Sequence, residues 1–203
     1  MKKGAILVLS GPSGSGKSTI INAASNEIGE YYFSISTTTR QPRVGEVDGV
    51  DYFFVSKESF KEDIEADNFL EYAEVHGNYY GTSLKPVQEA VEEGKLVIFD
   101  IDVQGHRLVR DKMNDITTSA FITPPTLKVL EKRLRARCTD DESVIVGRIK
   151  NAKNEVKAVS EYDFTIINDT VEQAREEFII VAKAARLKQS REDEDKFTTQ
   201  WLG

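Results

Sequence analysis

The chain has 203 residues, 39% hydrophobic and 30% charged, with a net charge of −7. This composition excludes disordered, collagen-like and low-complexity classes, and the acidic balance argues against a general nucleic-acid binder, which is usually basic. A single cysteine, Cys138, excludes an internal disulfide framework and fits a reducing cytoplasm, and no apolar run approaches the roughly 18 residues of a membrane helix.

The opening MKKGAILVLSGPSG has too short an apolar stretch for an export signal. Ala5 to Ser10 reads as a buried strand that ends in glycines, and Ser18 to Ile28 as a helix stopped by Gly29. Tyr31 to Thr37 is β-branched and aromatic and reads as a strand. Arg40 to Val50 holds Pro42, Gly45 and Gly49 and reads as a loop. Asp51 to Val55 reads as a strand, and Lys57 to Ala66 as a helix capped by Ser56. Phe69 to Val75 reads as a strand, and Gly77 and Gly81 bracket a turn. Leu84 to Glu93 reads as a helix closed by Gly94. Leu96 to Ile101 is apolar except for Asp100 and suits the centre of a parallel sheet.

A helix from Gln104 to Lys112 and a strand near Thr117 to Ile122 follow. Thr126 to Arg137 reads as a helix with Leu127, Leu130 and Leu134 on one face, and Glu142 to Val159 as a second helix. Phe164 to Ile167 is a strand, Val171 to Arg186 a helix, and Ser190 to Gly203 a loose polar tail. The outer parts alternate strand and helix, which predicts an α/β fold with a doubly wound parallel sheet. Residues 33–95 hold several strands with little helix between them, which predicts an inserted mixed lobe. His76 and His106 are too few and too separated for a histidine zinc site.

Gly11-Pro12-Ser13-Gly14-Ser15-Gly16-Lys17-Ser18 matches G-x-x-x-x-G-K-[ST] between a strand and a helix. Glycines let backbone N–H groups turn inward around phosphate oxygens, and the helix N-terminus adds its positive pole. Lys17 can reach the β and γ phosphates, and the Ser18 hydroxyl can bind Mg²⁺. Nucleotide-triphosphate binding is the firmest reading.

A phosphate loop does not name a reaction. A guanine-reading Asn-Lys-x-Asp string, usual in switch GTPases, is absent; Asn154-Glu155-Val156-Lys157 does not fit. A motor ATPase would usually be larger. Arg40 and Arg43 stand three apart around Pro42, so two guanidinium forks can grip one phosphate, although a solvated loop explains that spacing as well. Tyrosine hydroxyls at Tyr52, Tyr79 and Tyr80 are good phosphate donors. A buried carboxylate at Glu71 would pair with guanine N1–H and N2–H, whereas adenine would leave it poorly paired. By composition alone Glu71 is more readily a surface acid. Five basic residues, Lys128, Lys132, Arg133, Arg135 and Arg137, face one acid, Glu131, between Thr126 and Cys138. Glu131 can pair with Arg135 four residues on. Arg133 has no acid at helical spacing, so it is either solvated or placed to meet an anion.

Three strings make residues 4–188 resemble the guanylate kinase family: GPSGSGKST, STTTRQPRVGEVDGVDYFF, and EYAEVHGNYYGTS followed by FDIDVQG. The resemblance implies one kinase unit. Its phosphate-loop core comprises residues 1–32, 96–125 and 160–190. An inserted GMP-binding lobe spans 33–95, a lid with its flanking helices 126–159, and a polar tail 191–203. It implies Mg²⁺-dependent transfer of phosphate from ATP to GMP, and by extension to dGMP, as part of purine metabolism.

The phosphate loop with Thr19 would bind ATP. Arg40, Arg43, Tyr52 and Tyr80 would hold the GMP phosphate. Ser36, Glu71 and Thr82, with Gly81, would read guanine. Asp100 and Asp102 would lie near the acceptor and the Mg²⁺ water shell. Arg133, Arg137 and Arg148 would close on the ATP phosphates with Lys17.

Expected partners are small molecules, with no nucleic acid or membrane, in a cytoplasmic monomer or homodimer. The family pattern is broken at Ser83, often proline, at Cys138, often glycine, and at Gly147, where a second arginine is frequent. The rival readings are a ribose 1,5-bisphosphate phosphokinase and a non-catalytic guanylate-kinase-like binding module. The first should not need Glu71 with Tyr79-Tyr80, and the second usually has a degraded phosphate loop.

Overall fold

A computed structural model describes residues 4–43, 45–75, 77–136 and 141–203. Arg137, Cys138 and His76 lie outside the described residues. In chain order the elements are β1 (Ala5–Ser10), α1 (Lys17–Ala24), β2 (Tyr31–Phe33), β3 (Thr37–Thr38), β4 (Phe53–Phe54), α2 (Lys57–Glu65), β5 (Phe69–Val75) and β6 (Asn78–Ser83). Then come α3 (Leu84–Glu92), β7 (Leu96–Asp100), α4 (Val103–Met113), β8 (Thr117–Thr123), α5 (Leu127–Ala136), α6 (Glu142–Glu155), β9 (Phe164–Ile167), α7 (Val171–Ala185) and α8 (Arg191–Leu202).

Five strands form a parallel sheet in the order β2-β7-β1-β8-β9. All six residues of β1 are buried, because helices cover both faces of its neighbourhood. Side-chain alternation divides the core in two. Leu7 and Leu9 of β1 and Ile98 of β7 meet Ile20, Ala24 and Phe178 from α1 and α7. Ile6 and Val8, with Val97 and Phe99, meet Val87, Ala90 and Val109 from α3 and α4. Each fully buried aliphatic side chain contributes on the order of 1.5–3 kcal/mol. β1, rather than β7, is the middle strand. The chain crosses from one side of β1 to the other there, so loops after β1 and β7 open a crevice at the strands' carboxyl ends.

A second sheet has the order β4-β3-β6-β5. It packs on α2, whose Ser56 cap accepts from the Ser59 N–H as expected. Phe60 of α2 is buried and stacks on Phe69 and Tyr79 at 4.3 and 5.4 Å. α5 and α6 pack on each other through Leu130, Leu134, Ile145 and Ala152.

Several expectations differ from the structure. The stretch 31–37 is not one strand. Tyr31–Phe33 pairs with β7, Ser34 makes the last bond to Ile98, and Thr37–Thr38 crosses into the second sheet. Alternation alone does not say which sheet a strand joins. Asp51–Val55 contracts to the two residues of β4. Gly77 makes a turn with φ of 78°, but Gly81 lies inside β6, pressed against Phe60 and Phe69. The helix expected to reach Ile28 ends at Ala24, and α6 stops at Glu155, followed by a 3₁₀ turn over Val156–Glu161.

The tail is not loose. Ser190 caps α8 by accepting from Asp193 N–H, three acids occupy its first turn, and Glu192 pairs with Lys196 four residues on. No residue of α8 is buried, and Phe197, Trp201 and Leu202 are largely exposed. Truncation after Gln189 should therefore leave the melting temperature within about 2 °C of the full chain, because surface changes rarely exceed roughly 0.5 kcal/mol. A calorimetric drop beyond 5 °C would show that α8 braces the core.

Candidate active site

The loop after β1 turns back because its glycines adopt backbone angles that other residues avoid. Gly11, Gly14 and Gly16 have φ of 143°, 89° and 95°. Gly16 is the N-cap of α1, and a side chain there would collide with the Asn168 amide. Asn168 is buried and donates from Nδ2 to the Ser15 carbonyl at 2.7 Å, which pins the loop from the end of β9.

Lys17 opens α1. Its ammonium donates to the Gly11 carbonyl at 2.6 Å and lies 3.6 Å from Asp100 Oδ1. Burial pushes the Asp100 carboxyl up from its ordinary value, and the Lys17 charge opposes that shift. Lys17 lines a cavity of about 360 Å³ with Gly11, residues 13–19, Asp100, Asp102 and Glu155. Pro12 faces a neighbouring apolar cavity instead. Asp102 caps α4, accepting from the Gly105 N–H at 2.8 Å.

The second sheet aligns the acceptor candidates by its pleat. Tyr80 and Thr82 lie on one face of β6, while Tyr79 and Gly81 turn to α2. Glu71 of β5 stands opposite Thr82 in the pairing and accepts its hydroxyl proton at 2.7 Å. Desolvation raises the Glu71 carboxyl above its ordinary value, the Asp102 charge adds to the rise, and Thr82 and Lys112 oppose it. Glu71 is thus a half-buried, hydrogen-bonded carboxylate rather than a fully exposed acid. Ser36 is half-buried, and its carbonyl accepts from Phe53 N–H at 3.0 Å.

Arg40 lies over the Tyr52 ring at 5.3 Å, and Tyr52 meets Tyr80 edge-on at 6.1 Å. Its guanidinium donates to Glu46 at 2.9 Å, and the other oxygen of Glu46 accepts from the Arg43 backbone at 2.7 Å. The Glu46 carboxyl is held below its ordinary value mainly by Arg40. Arg43 itself is exposed.

The arginines expected to form a lid divide. Arg148 reaches the phosphate loop and donates to Ser13 Oγ at 2.9 Å. Arg133 does not stand free: it donates to the carbonyls of Asn168 and Asp169 at 2.9 and 3.2 Å. It holds the segment that pins Ser15. Arg135 bonds Glu131 as its spacing predicts, and also bridges to Glu142 of α6 at 2.8 Å.

Three residues escaped the sequence reading. Glu46 carried a signal, three residues after Arg43 in a glycine-rich loop. Asn168 and Glu155 carried none, because long-range packing brings them to the phosphate loop.

The site also fits magnesium. The cavity offers the Ser18 hydroxyl and the carboxylates of Asp100 and Asp102 beside the phosphate loop. Among the described residues no group of three His, Cys, Asp or Glu forms a metal cage. An ion held by one or two protein oxygens, substrate phosphates and water would need no more protein ligands than these.

A glycine loop capping a helix after the middle strand, a lysine in its cavity, and a second sheet that gathers Arg40, Tyr52, Glu71, Tyr80 and Thr82 fit a phosphate-loop nucleotide kinase. Comparison with known proteins narrows this class. The guanylate kinase family profile matches residues 3–184. The chain is 58% identical over 200 residues to the guanylate kinase of Sulfurimonas denitrificans, covering 98% of this chain and 97% of that protein. It is 50% identical over 199 residues to the guanylate kinase of Wolinella succinogenes, covering 98% and 93%. The crystal structure of guanylate kinase from Anaplasma phagocytophilum superposes with a TM-score of 0.74 at 31% identity, covering 93% of this chain and 89% of that one. The chain belongs to the guanylate kinase family.

Proposed function

We propose that the chain transfers the γ-phosphate of ATP to GMP, giving ADP and GDP, and that it also accepts dGMP. The observation that carries this is the position of Asp102. It lines the phosphate cavity and caps α4, the helix that packs against β5, the strand of Glu71, so the two candidate sites adjoin there.

The nucleophile is a phosphate oxygen of GMP, already anionic near neutral pH, so no strong general base is needed. Catalysis is positioning and charge neutralisation. Glu71 accepts guanine N1–H and N2–H, Thr82 holds Glu71 in place, and Ser36 and Gly81 complete the base pocket. Arg40, Arg43, Tyr52 and Tyr80 grip the acceptor phosphate. Glu46 keeps Arg40 extended until that phosphate arrives. Lys17 turns from Gly11 and Asp100 to the donor phosphates, and Arg148 follows with the lid. Arg137 acts with them, while Arg133 steadies the loop through residues 168 and 169. Closure of both lobes excludes water as a rival acceptor.

Mg²⁺, with Ser18, Asp100 and Asp102 around it, supplies further neutralisation of phosphate charge when bound. We assign the enzyme to the cytoplasm, as a monomer or homodimer with no nucleic-acid or membrane partner; among the described residues no helix is long and apolar enough to cross a membrane.

The test is ADP release from Mg-ATP with GMP, dGMP, AMP, CMP, UMP, dTMP and ribose 1,5-bisphosphate as acceptors. Release with GMP and dGMP alone is expected. Release with ribose 1,5-bisphosphate instead would overturn the guanine assignment. GMP binding without any release would indicate a binding module.

A further inference from the structure

We propose that Glu155 weakens the hold of the donor site on its nucleotide and so speeds the departure of ADP. The inference rests on the donor-site reading above. Glu155 is the last residue of α6, seven positions after Arg148, so both lie on one side of the same helix. Arg148 reaches Ser13 of the phosphate loop, and Glu155 lines the cavity that holds Lys17. One lid helix thus brings a cation and an anion to the phosphates.

The Glu155 carboxylate is badly placed for stability. Its Oε2 is covered and has no hydrogen-bond partner among the described residues. A buried acceptor without a donor is unfavourable. The negative pole of α6 lies at the same corner. Lys17 from α1 and Asp102 from α4 act on it, and Asp100 from β7 lines the same cavity; Arg107, Lys157 and Glu161 line a cavity on its other side, where Arg107 is held by Glu161 and Lys157 by Asn154. Burial raises its carboxyl, and Lys17 opposes the rise.

Lys17 is the cation that can relieve this strained oxygen. It is held most firmly when the donor offers both its β- and γ-phosphates. While ATP is bound, Lys17 serves both. After transfer the γ-phosphate has left on GDP, the β-phosphate of ADP alone holds the ammonium, and Asp100 and Glu155 compete for it. ADP then faces a carboxylate of its own sign with a weakened counter-charge.

The experiment measures ADP affinity by calorimetry, and the dissociation rate of a fluorescent ADP by stopped flow, with and without Mg²⁺. It compares wild type, Glu155→Gln, Glu155→Ala and Glu155→Asp. Removing one charge near the phosphates should tighten ADP by roughly five- to twentyfold and slow its release similarly. Gln and Ala should both show this, with or without Mg²⁺, and Asp should stay near wild type. A damaged pocket would lose affinity, so the gain separates this role from a structural one. Unchanged or weaker ADP binding in Gln and Ala overturns the proposal, as does an effect confined to Mg²⁺. A wild type that binds no ADP overturns the donor-site reading with it.

Discussion

Lys17→Met is expected to lower turnover of ATP and GMP by on the order of a thousandfold, the scale of losing a charged group that neutralises a transferring phosphate. The side chain starts at the first residue of α1, inside the ring of glycine N–H groups, and no other described lysine lines that cavity. Its tether to Gly11 at 2.6 Å shows that it reaches back over the loop. Calorimetric GMP affinity should change less than about threefold, because the acceptor face is built on the other sheet. The substitution also removes the charge that restrains the Asp100 carboxyl, so burial acts on Asp100 unopposed. Turnover within tenfold of wild type would remove Lys17 from the mechanism.

Glu71→Gln is expected to move activity and stability in opposite directions. A carboxylate accepts both guanine donors, whereas an amide presents a donor to one of them. Losing one charge-assisted bond and opposing another should cut kcat/KM for GMP by roughly a hundred- to a thousandfold. Stability follows from proton linkage. Burial raises the Glu71 carboxyl, so the folded state favours its protonated form. That contribution is present below the unfolded value and is lost as pH rises through the folded one. At neutral pH the ionised group is therefore a penalty, and glutamine relieves it. Relief of about 1 kcal/mol raises Tm by roughly 2–4 °C in a chain of this size. In wild type, kcat/KM for GMP should fall on acidification at a pH above the ordinary carboxylate range, and the variant should lack that limb. A variant that is both less active and less stable would mean that Glu71 only braces Thr82.

The phosphate loop was legible because its chemistry is local. Gly11, Gly14 and Gly16 are required by backbone angles that the sequence writes directly, and the flanking strand and helix are strongly patterned. The acceptor face was half legible. The spacing of Arg40 and Arg43 allowed a phosphate grip but equally a solvated loop, and Glu71 became more than an acid only through the family strings. Its burial depends on α4, which follows far along the chain.

The contacts of Arg133 were not legible for a related reason. It lacks an acid on its own helix, yet backbone carbonyls at 168 and 169 satisfy it, and carbonyls leave no mark in a sequence. The break between β2 and β3 was invisible to alternation, which fixes which face a residue takes and not which sheet it joins. The tail misled because charge suggested solvation. Its helix signal was present in Ser190, the acids of the first turn and the spacing of Glu192 and Lys196.

The strand pairings also bear on the order in which the chain can fold. Among the described residues, β5 and β6 form the sole hairpin, closing at Val75 and Asn78. Every ladder of the large sheet joins segments far apart, such as Ile6 with Thr117 and Ala120 with Phe164. Closing long loops costs entropy before any contact rewards it, so distant pairings are slow. The hairpin that aligns Glu71, Tyr80 and Thr82 can close early. The cradle around Lys17 is a late product, since β1 finds its neighbours only after most of the chain is available. A stalled or truncated chain would therefore carry the ribbon of Glu71, Tyr80 and Thr82 long before it carried the cradle around Lys17.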